Sequence, residues 1–326
     1  VGFQPDWVWL KDRDTTDWHF LTDAVRGVTK TLHSNTTTAE TTQAGALTAF
    51  GSDGFTVGND GSVNRNNENF VSWNWKANGT GSANTDGSIN TTATSVNTTA
   101  GFSISTYTGD NNDGATIGHG LGVIPSMVIV KKLSSTRDFM VKHKDLTSNY
   151  NIALNTSDAQ WQPSSNGWIS DLTSNQTIGF SIGSSDIDNV NQGGQTFVAY
   201  CFAEKKGYSK FGEYGGNNNA DGTFVYTGFK PAFVMLKRKD AVADWVMKDN
   251  RRPGYNVTDD ILYPNGDYAE GSGGDIDIVS NGFKIRTTAD NTNGNDGNPY
   301  YYIYMAFAEA PLVANSGANG VPATAR

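Results

Sequence analysis

Gly2-Phe-Gln-Pro-Asp-Trp-Val-Trp-Leu-Lys11 stands at the start of the chain, and its pattern returns at Gly122–Lys131 and at Gly228–Lys237. Each copy has proline at its fourth position, continues with apolar residues and ends on lysine. Proline at the start of a strand removes no donor that the ladder needs, so each copy predicts a β-strand. Both alternating sets of side chains are apolar, which predicts cover on both faces: the sandwich core on one, and a neighbouring module, a long loop or another subunit on the other.

Two further motifs follow each proline strand in the same order. A Gly-Phe strand and an aromatic strand recur at Gly54-Phe55 with Phe70–Trp75, at Gly179-Phe180 with Phe197–Phe202, and at Gly282-Phe283 with Tyr302–Phe307. An aromatic residue after each lysine, at Trp18, Phe139 and Trp245, is interpreted as part of the same repeat. The three motifs occur in the same order three times along the chain. This pattern predicts an all-β chain of three tandem β-sandwich, jelly-roll-like modules.

A strand–turn–strand block precedes the second and third copies, beginning at Phe102 and at Phe211. The first copy lacks it, so we expect an unpaired edge beside Val1–Lys11. Upstream residues, the stretch Asn84–Ala100, the tail Val313–Arg326 or a strand of another subunit would fill that edge. The predicted boundaries are module 1 at 1–84, a linker at 85–100, module 2 at 101–210, module 3 at 211–312 and a tail at 313–326.

Composition excludes several classes of function. The net charge is −9, no basic patch with interleaved aromatics stands out, and no apolar run approaches the length of a membrane helix. We therefore expect neither nucleic-acid binding nor membrane insertion. The single cysteine, Cys201, excludes an intrachain disulfide and a Cys-x-x-Cys metal site.

The repeated phrases carry a family resemblance. The stretches Gly2–Arg13, Phe70–Ala77, Tyr200–Glu204, Lys206–Phe211 and Val321–Arg326 resemble a β-sandwich module of the virion surface and tail-fibre-like proteins of tailed bacteriophages, especially marine ones. The resemblance covers nearly the whole chain. It implies a location on the virion exterior and supplies no catalytic residues.

Motifs that could carry chemistry have simpler structural interpretations. Gly179–Gly183 matches the G-x-S-x-G pattern around Ser181, but no helix is predicted after it, and the other repeats hold Thr56 and Lys284 at the serine position. Asn217–Gly222 is half of a calcium loop without its final glutamate, which favours a hairpin turn. Acid pairs such as Asp12-x-Asp14 are interpreted as solvated loop residues. We predict no catalytic residue, no metal site and no cofactor.

Trp161 and Trp168 lie in a turn-rich stretch outside the repeated motifs, so they are the candidate ligand-binding residues, with sugar faces as the expected ligand. The leading hypothesis is a non-enzymatic virion structural protein, extracellular, acting in a tail fibre or in capsid-surface adhesion or decoration. Its expected partners are host-surface glycans, other virion proteins and copies of itself in a trimer or fibre. Two alternatives remain: a polysaccharide depolymerase on the same scaffold, and the subunit of an extracellular filament assembled by strand addition.

Overall fold

The computed structural model describes residues 1–162, 167–182, 189–253 and 256–309. Within these ranges the regular structure is β-strand except for two four-residue helices, which confirms the all-β fold. The chain divides into two compact units. The first comprises residues 1–156, 160–203 and 265–269, and the second comprises 157–159, 204–264 and the residues from 270 onward. No helix in the described ranges is long and apolar enough to cross a membrane.

The first repeat builds one three-stranded sheet, two small hairpins and a helical turn. Its elements are β1 (Trp7–Asp12), β2 (Phe20–Asp23), β3 (Lys30–Thr31), β4 (Thr41–Thr42), β5 (Leu47–Gly51), β6 (Gly54–Val57), α1 (Gly61–Asn64) and β7 (Phe70–Trp75). The sheet order is β2-β1-β7, and β3-β4 and β5-β6 form separate hairpins. One face of β1 packs Val8 and Leu10 into a small core with Phe20, Leu47 and Val63.

The second repeat is a two-sheet sandwich. Its strands are β8 (Ala93–Asn97), β9 (Phe102–Thr108), β10 (Thr116–Gly118), β11 (Met127–Lys132), β12 (Phe139–His143), β13 (Ile152–Ala153), β14 (Trp168–Ile169), β15 (Thr177–Ser181) and β16 (Thr196–Phe202). One sheet has the order β13-β12-β11-β16-β9-β8 and the other has the order β10-β15-β14. Alternate residues of the two sheets, such as Val128, Ile178 and Phe180, form a fully buried core.

The third repeat is a sandwich of two four-stranded sheets. Its elements are β17 (Ser209–Gly215), β18 (Phe224–Tyr226), β19 (Pro231–Arg238), β20 (Val246–Asp249), β21 (Thr258–Ile261), β22 (Gly271–Val279), β23 (Gly282–Ile285), α2 (Asp290–Asn293) and β24 (Tyr301–Ala308). The orders are β17-β24-β19-β20 and β18-β23-β22-β21. In both complete sandwiches, therefore, the proline strand lies between its hairpin partner and the aromatic strand.

The expected open edge beside the first proline strand was wrongly placed. Strand β1 is paired on both sides within the chain, by β2 and by β7. The opening strands β9 and β17 pair with the aromatic strands β16 and β24 rather than with the proline strands. The missing block therefore leaves the outer edge of β7 without a strand neighbour in the described part of the chain, and donation of a strand beside Val1–Lys11 is ruled out.

The second apolar face of β1 is covered by the second repeat. Trp7 stacks on Tyr200 with ring centroids 4.6 Å apart, and it also contacts Phe102 and Phe202. Trp7 and Trp9 are each 1% exposed. The two repeats thus share an aromatic core inside the first unit, and this strand face needs no second chain to bury it.

The stretch 85–100, predicted to be a linker, contains strand β8. Residues Ala93–Asn97 pair with β9 along its whole length and form one edge of the six-stranded sheet. Its composition of threonine, serine and asparagine hid the strand, because its side chains Thr94 and Ser95 are buried through hydrogen bonds rather than through apolar contact. The predicted tail 313–326 lies outside the described residues.

Each proline strand has its lysine buried. Lys11, Lys131 and Lys237 are all 0% exposed, and each ammonium group donates to backbone carbonyls. Lys11 Nζ bonds Thr15 O at 2.8 Å, Lys131 Nζ bonds Thr37 O at 2.9 Å and Lys237 Nζ bonds Ser157 O at 3.2 Å. The lysines of the repeat therefore bind loop backbone to the proline strand, and Thr37 O and Ser157 O also accept from the N–H groups of Arg137 and Ala243.

Candidate functional site

Trp161 and Trp168, the predicted ligand-binding residues, are both half-buried. Trp161 forms a β-bridge with Asn151 and packs partly against the core of the second sandwich. Trp168 is the first residue of β14, and its indole Nε1 is buried without a hydrogen bond in the described structure. Residues 163–166 between them lie outside the described residues. Both rings are less exposed than that of Trp18, which is 43% exposed.

The G-x-S-x-G match around Ser181 and the half calcium loop at 217–222 lie in a strand and in a turn, respectively. Ser181 ends β15, and its hydroxyl lies 3.2 Å from the hydroxyl of Ser170. Gly183 of the same motif lies outside the described residues. In the segment 217–222, Asn217 Oδ1 accepts from Asn219 N at 3.1 Å and Asn219 Oδ1 accepts from Asp221 N at 2.8 Å. These side-chain bonds make consecutive Asx turns in the loop between β17 and β18.

Trp18 was assigned to the wrong position of the repeat. Phe139 follows Lys131 by eight positions and Trp245 follows Lys237 by eight, whereas Trp18 follows Lys11 by only seven. The register of β1 against β2 pairs Leu10 with Phe20. The counterpart of Phe139 and Trp245 is therefore His19, which is buried and accepts from Trp9 Nε1 at 2.9 Å.

As a result, Trp18 lies in the loop before β2 instead of the strand, and 43% of it is exposed. Its ring meets His33 edge-on at 5.0 Å, and His33 in turn meets Phe20 at 4.8 Å. The imidazole of His33 is buried and bonds His19 O at 2.8 Å. Burial lowers the pKa of His33, so the ring that supports Trp18 is neutral at physiological pH.

Trp18 forms one wall of an open cleft of about 300 Å³ in the first unit. Its other lining residues are mostly polar, namely Thr16, Asp17, Phe20, Gln43, Asp60 and Ser62. A volume of this order lies at the lower end of what small-molecule sites enclose. The cleft combines one exposed aromatic face with carboxylate, amide and hydroxyl groups, the pair of features that sugar rings use for stacking and for hydrogen bonding.

The two carboxylates of the cleft are held in place by donors of the same repeat. Asp17 Oδ2 accepts from Arg65 Nη2 at 2.8 Å and from Thr15 Oγ1 at 3.0 Å. Asp60 Oδ1 accepts from Ser62 N at 2.9 Å and caps α1. Carboxylate oxygens held in this way are positioned to accept hydrogen bonds from ligand hydroxyl groups.

The second unit carries a larger depression of about 440 Å³. Its described lining residues are Lys230, Asn250, Arg251, Pro253, Asn256, Thr258, Ile278 and Glu309. Lys230 and Glu309 form an ion pair of 2.7 Å, and no aromatic ring is among these described residues. The cleft beside Trp18 is accordingly the better candidate for a ligand site.

The sequence contained one signal that could have located this site. The aromatic residue of the first repeat is displaced by one position from those of the other two, which places Trp18 outside the strand pattern. Gln43 and Asp60 carry no such signal, because they reach the cleft from separate loops.

The architecture defines a class: an all-β protein with three copies of one sandwich-like repeat. Over residues 1–311 the chain matches the model of the family described as a domain of unknown function, DUF7483. The chain therefore belongs to that family. No curated protein and no solved structure matches it.

Proposed function

We propose that this chain is a non-enzymatic adhesion protein of a virion exterior that binds glycans through the cleft beside Trp18. The observation that carries the proposal is the exposed indole of Trp18 set beside the fixed carboxylates of Asp17 and Asp60. The resemblance of the repeats to phage surface proteins supplies the proposed location. Host-surface glycans are the ligand class that fits both the location and the cleft.

The chemistry of the cleft suits a pyranose ring. The apolar face of the sugar would stack on Trp18, and its hydroxyl groups would donate to the carboxylates of Asp17 and Asp60. A rigid aromatic residue loses little conformational entropy when it is covered, so a single stacking contact contributes usefully to affinity. Binding at one such shallow cleft is weak, and several copies on one particle would raise the avidity.

The test is a glycan array with the purified chain and a Trp18→Ala variant. The proposal expects that the wild type binds a defined set of glycans and that the variant loses at least tenfold of that affinity. Tyr226→Ala is the matched control, because Tyr226 is a 64% exposed aromatic of the third repeat outside the cleft. If Trp168→Ala abolishes binding while Trp18→Ala does not, the original candidate residues replace the cleft. Absence of glycan binding by the wild type contradicts the proposal.

A polysaccharide depolymerase is the second candidate, and the presence of Asp17 and Asp60 in one cleft favours it. Glycosidases place two carboxyl groups on either side of the scissile bond, one of them protonated. Asp17 instead already accepts hydrogen bonds from Arg65 Nη2 and Thr15 Oγ1. Incubation with the glycans that bind, followed by assay of new reducing ends, separates the candidates: release that disappears in Asp60→Asn identifies an enzyme.

A further inference from the structure

Three acidic side chains of the first repeat converge at the end of the sheet formed by β1 and β7. Asp12 is the last residue of β1, Asp14 lies two residues beyond it, and Glu68 comes just before β7. One carboxylate oxygen from each lies within 4.8 Å of the others.

The buried member of this trio has an unsatisfied oxygen. Asp12 is 0% exposed, and its Oδ1 accepts from the backbone N–H groups of Asp14 and Thr15 at 2.9 and 3.2 Å. Its Oδ2 is buried and has no hydrogen-bond partner in the described structure. Arg65 Nη1 forms only a long ion pair with this oxygen, at 3.7 Å, while Nη2 of the same side chain bonds Asp17 at 2.8 Å. A buried carboxylate oxygen without a donor is costly unless a cation contacts it.

The other two repeats have different residues at the positions of Asp12, Asp14 and Glu68. The strand registers place Lys132 and Arg238 at the position of Asp12, and they place Ser134 and Asp240 at the position of Asp14. The position of Glu68 is held by Gln195 and Tyr300. In the third repeat Arg238 Nε pairs with Asp240 Oδ1 at 2.7 Å.

The backbone at this position is otherwise the same in all three repeats. The N–H of Thr196 donates to Ser134 Oγ at 3.2 Å, and that of Tyr301 donates to Asp240 Oδ2 at 2.9 Å. The N–H of Asn69 donates to Asp14 Oδ2 in the same way. The second and third repeats therefore carry a cationic side chain of their own here, and the first repeat has three acids in the same frame.

We propose that Asp12, Asp14 and Glu68 bind a calcium ion, which in the first repeat takes the place of the built-in cation of the other two. Calcium prefers carboxylate oxygens, accepts irregular geometry and completes its six to eight ligands with water. Magnesium is a poorer fit, because it demands octahedral geometry at shorter distances. Arg65 is 40% exposed at its side chain and keeps its bond to Asp17 when the ion contacts Asp12. This proposal is independent of glycan binding.

The experiment is calcium titration of the full, chelator-treated chain by isothermal calorimetry, with terbium luminescence as a second readout. One site is expected, with a dissociation constant of about 10⁻⁴–10⁻³ M, the range of extracellular calcium modules. Asp14→Asn with Glu68→Gln is expected to weaken it at least tenfold, and circular dichroism establishes that the variant folds. Asp240→Asn is the matched control, because it removes the corresponding acid of the third repeat and should bind as the wild type does.

Two outcomes overturn the proposal. One is the lack of saturable binding by the wild type up to ~10 mM calcium, ten times the weakest constant expected. The other is unchanged affinity in the double variant. If the double variant is more stable than the calcium-free wild type and the wild type binds no calcium, the cluster is an unrelieved repulsion and the proposal fails.

Discussion

Tyr200 donates its hydroxyl hydrogen to Asp23 Oδ2 across 2.8 Å, although 177 residues separate the two in sequence. Both are fully buried, and Asp23 also forms an ion pair with Arg26, whose guanidinium reaches Glu40 at 3.1 Å. Burial opposes the charge of Arg26, but Asp23, Tyr200 and Glu40 outweigh it and raise the pKa of Arg26. The first and second repeats are thus joined by a buried polar network beside their shared aromatic core.

Removal of that hydroxyl should destabilise the first unit. Tyr200→Phe keeps the stacking on Trp7 but leaves the buried carboxylate of Asp23 with one donor fewer. We expect a loss of about 1.5–3 kcal/mol in the free energy of unfolding, the usual range for a hydrogen bond to a charged group. Urea denaturation followed by tryptophan fluorescence measures it. Tyr226→Phe, at an exposed tyrosine, is the control and should change the unfolding midpoint little.

The buried lysines predict an unusual pH dependence. Burial lowers the pKa of Lys131 and of Lys237 to about 7, against the partial opposition of Asp138 and Asp244, from an ordinary value of 10.5. At pH values between these two pKa values, the unfolded chain binds more protons than the folded chain does. The free energy of unfolding should therefore increase as pH rises from about 7 to about 10. This stabilisation is complete above the pKa that the lysines have in the unfolded chain. It is lost as the pH falls through the pKa that they have in the folded chain. Each lysine contributes a slope of at most about 1.4 kcal/mol per pH unit.

Tyrosine titration limits this rise. Burial raises the pKa of Tyr200, Tyr214 and Tyr302, so above about pH 10 the unfolded chain loses protons first and stability falls. Unfolding midpoints measured at intervals from pH 6 to about pH 11 test both limbs. Lys131→Met should flatten the rising limb, whereas Lys206→Met, at an exposed lysine, should not. A wild-type curve that declines steadily above about pH 7 would contradict the prediction.

Asn151 should be essential to the second sandwich. Its buried amide bridges to the backbone of Ile169, donating to the carbonyl and accepting from the N–H, both at 2.9 Å. Asn151→Ala leaves both backbone groups buried without partners, and we expect a loss of about 2–4 kcal/mol in the free energy of unfolding. The comparison is Asn66→Ala at an exposed loop position. Equal denaturation midpoints for the two variants would show that water replaces the amide.

The outer edge of β7 tests the filament hypothesis. Only β1 pairs with β7 in the described structure, whereas β16 and β24 each have two strand neighbours. We therefore expect faster hydrogen exchange for alternate amides of 70–75 than for those of 197–202. If all the amides of 70–75 become protected as the protein concentration rises, another chain adds a strand at this edge, and strand-addition assembly gains support.

The repeated motifs determined the all-β class and the strand cores, because alternating apolar side chains must be buried whatever their neighbours are. Val8, Val128 and Val234 follow from that pattern and lie in the cores of the three repeats. The same pattern could not show which strand borders which. Pairing depends on backbone hydrogen bonds between distant segments, and for this reason the missing block was assigned to β1 instead of β7.

Strand β8 and the position of Trp18 also depended on tertiary structure. Buried threonine and serine side chains look like linker residues until their partners are known, and a one-residue shift of register moves a ring from core to surface. The acidic trio shows the same limit. Asp12 and Asp14 are neighbours in sequence, but Glu68 joins them only because β7 pairs antiparallel with β1. By itself the sequence determined which residues are buried as strands, through periodicity, whereas only the tertiary structure decided which polar groups meet, because electrostatic contacts depend on distance in space.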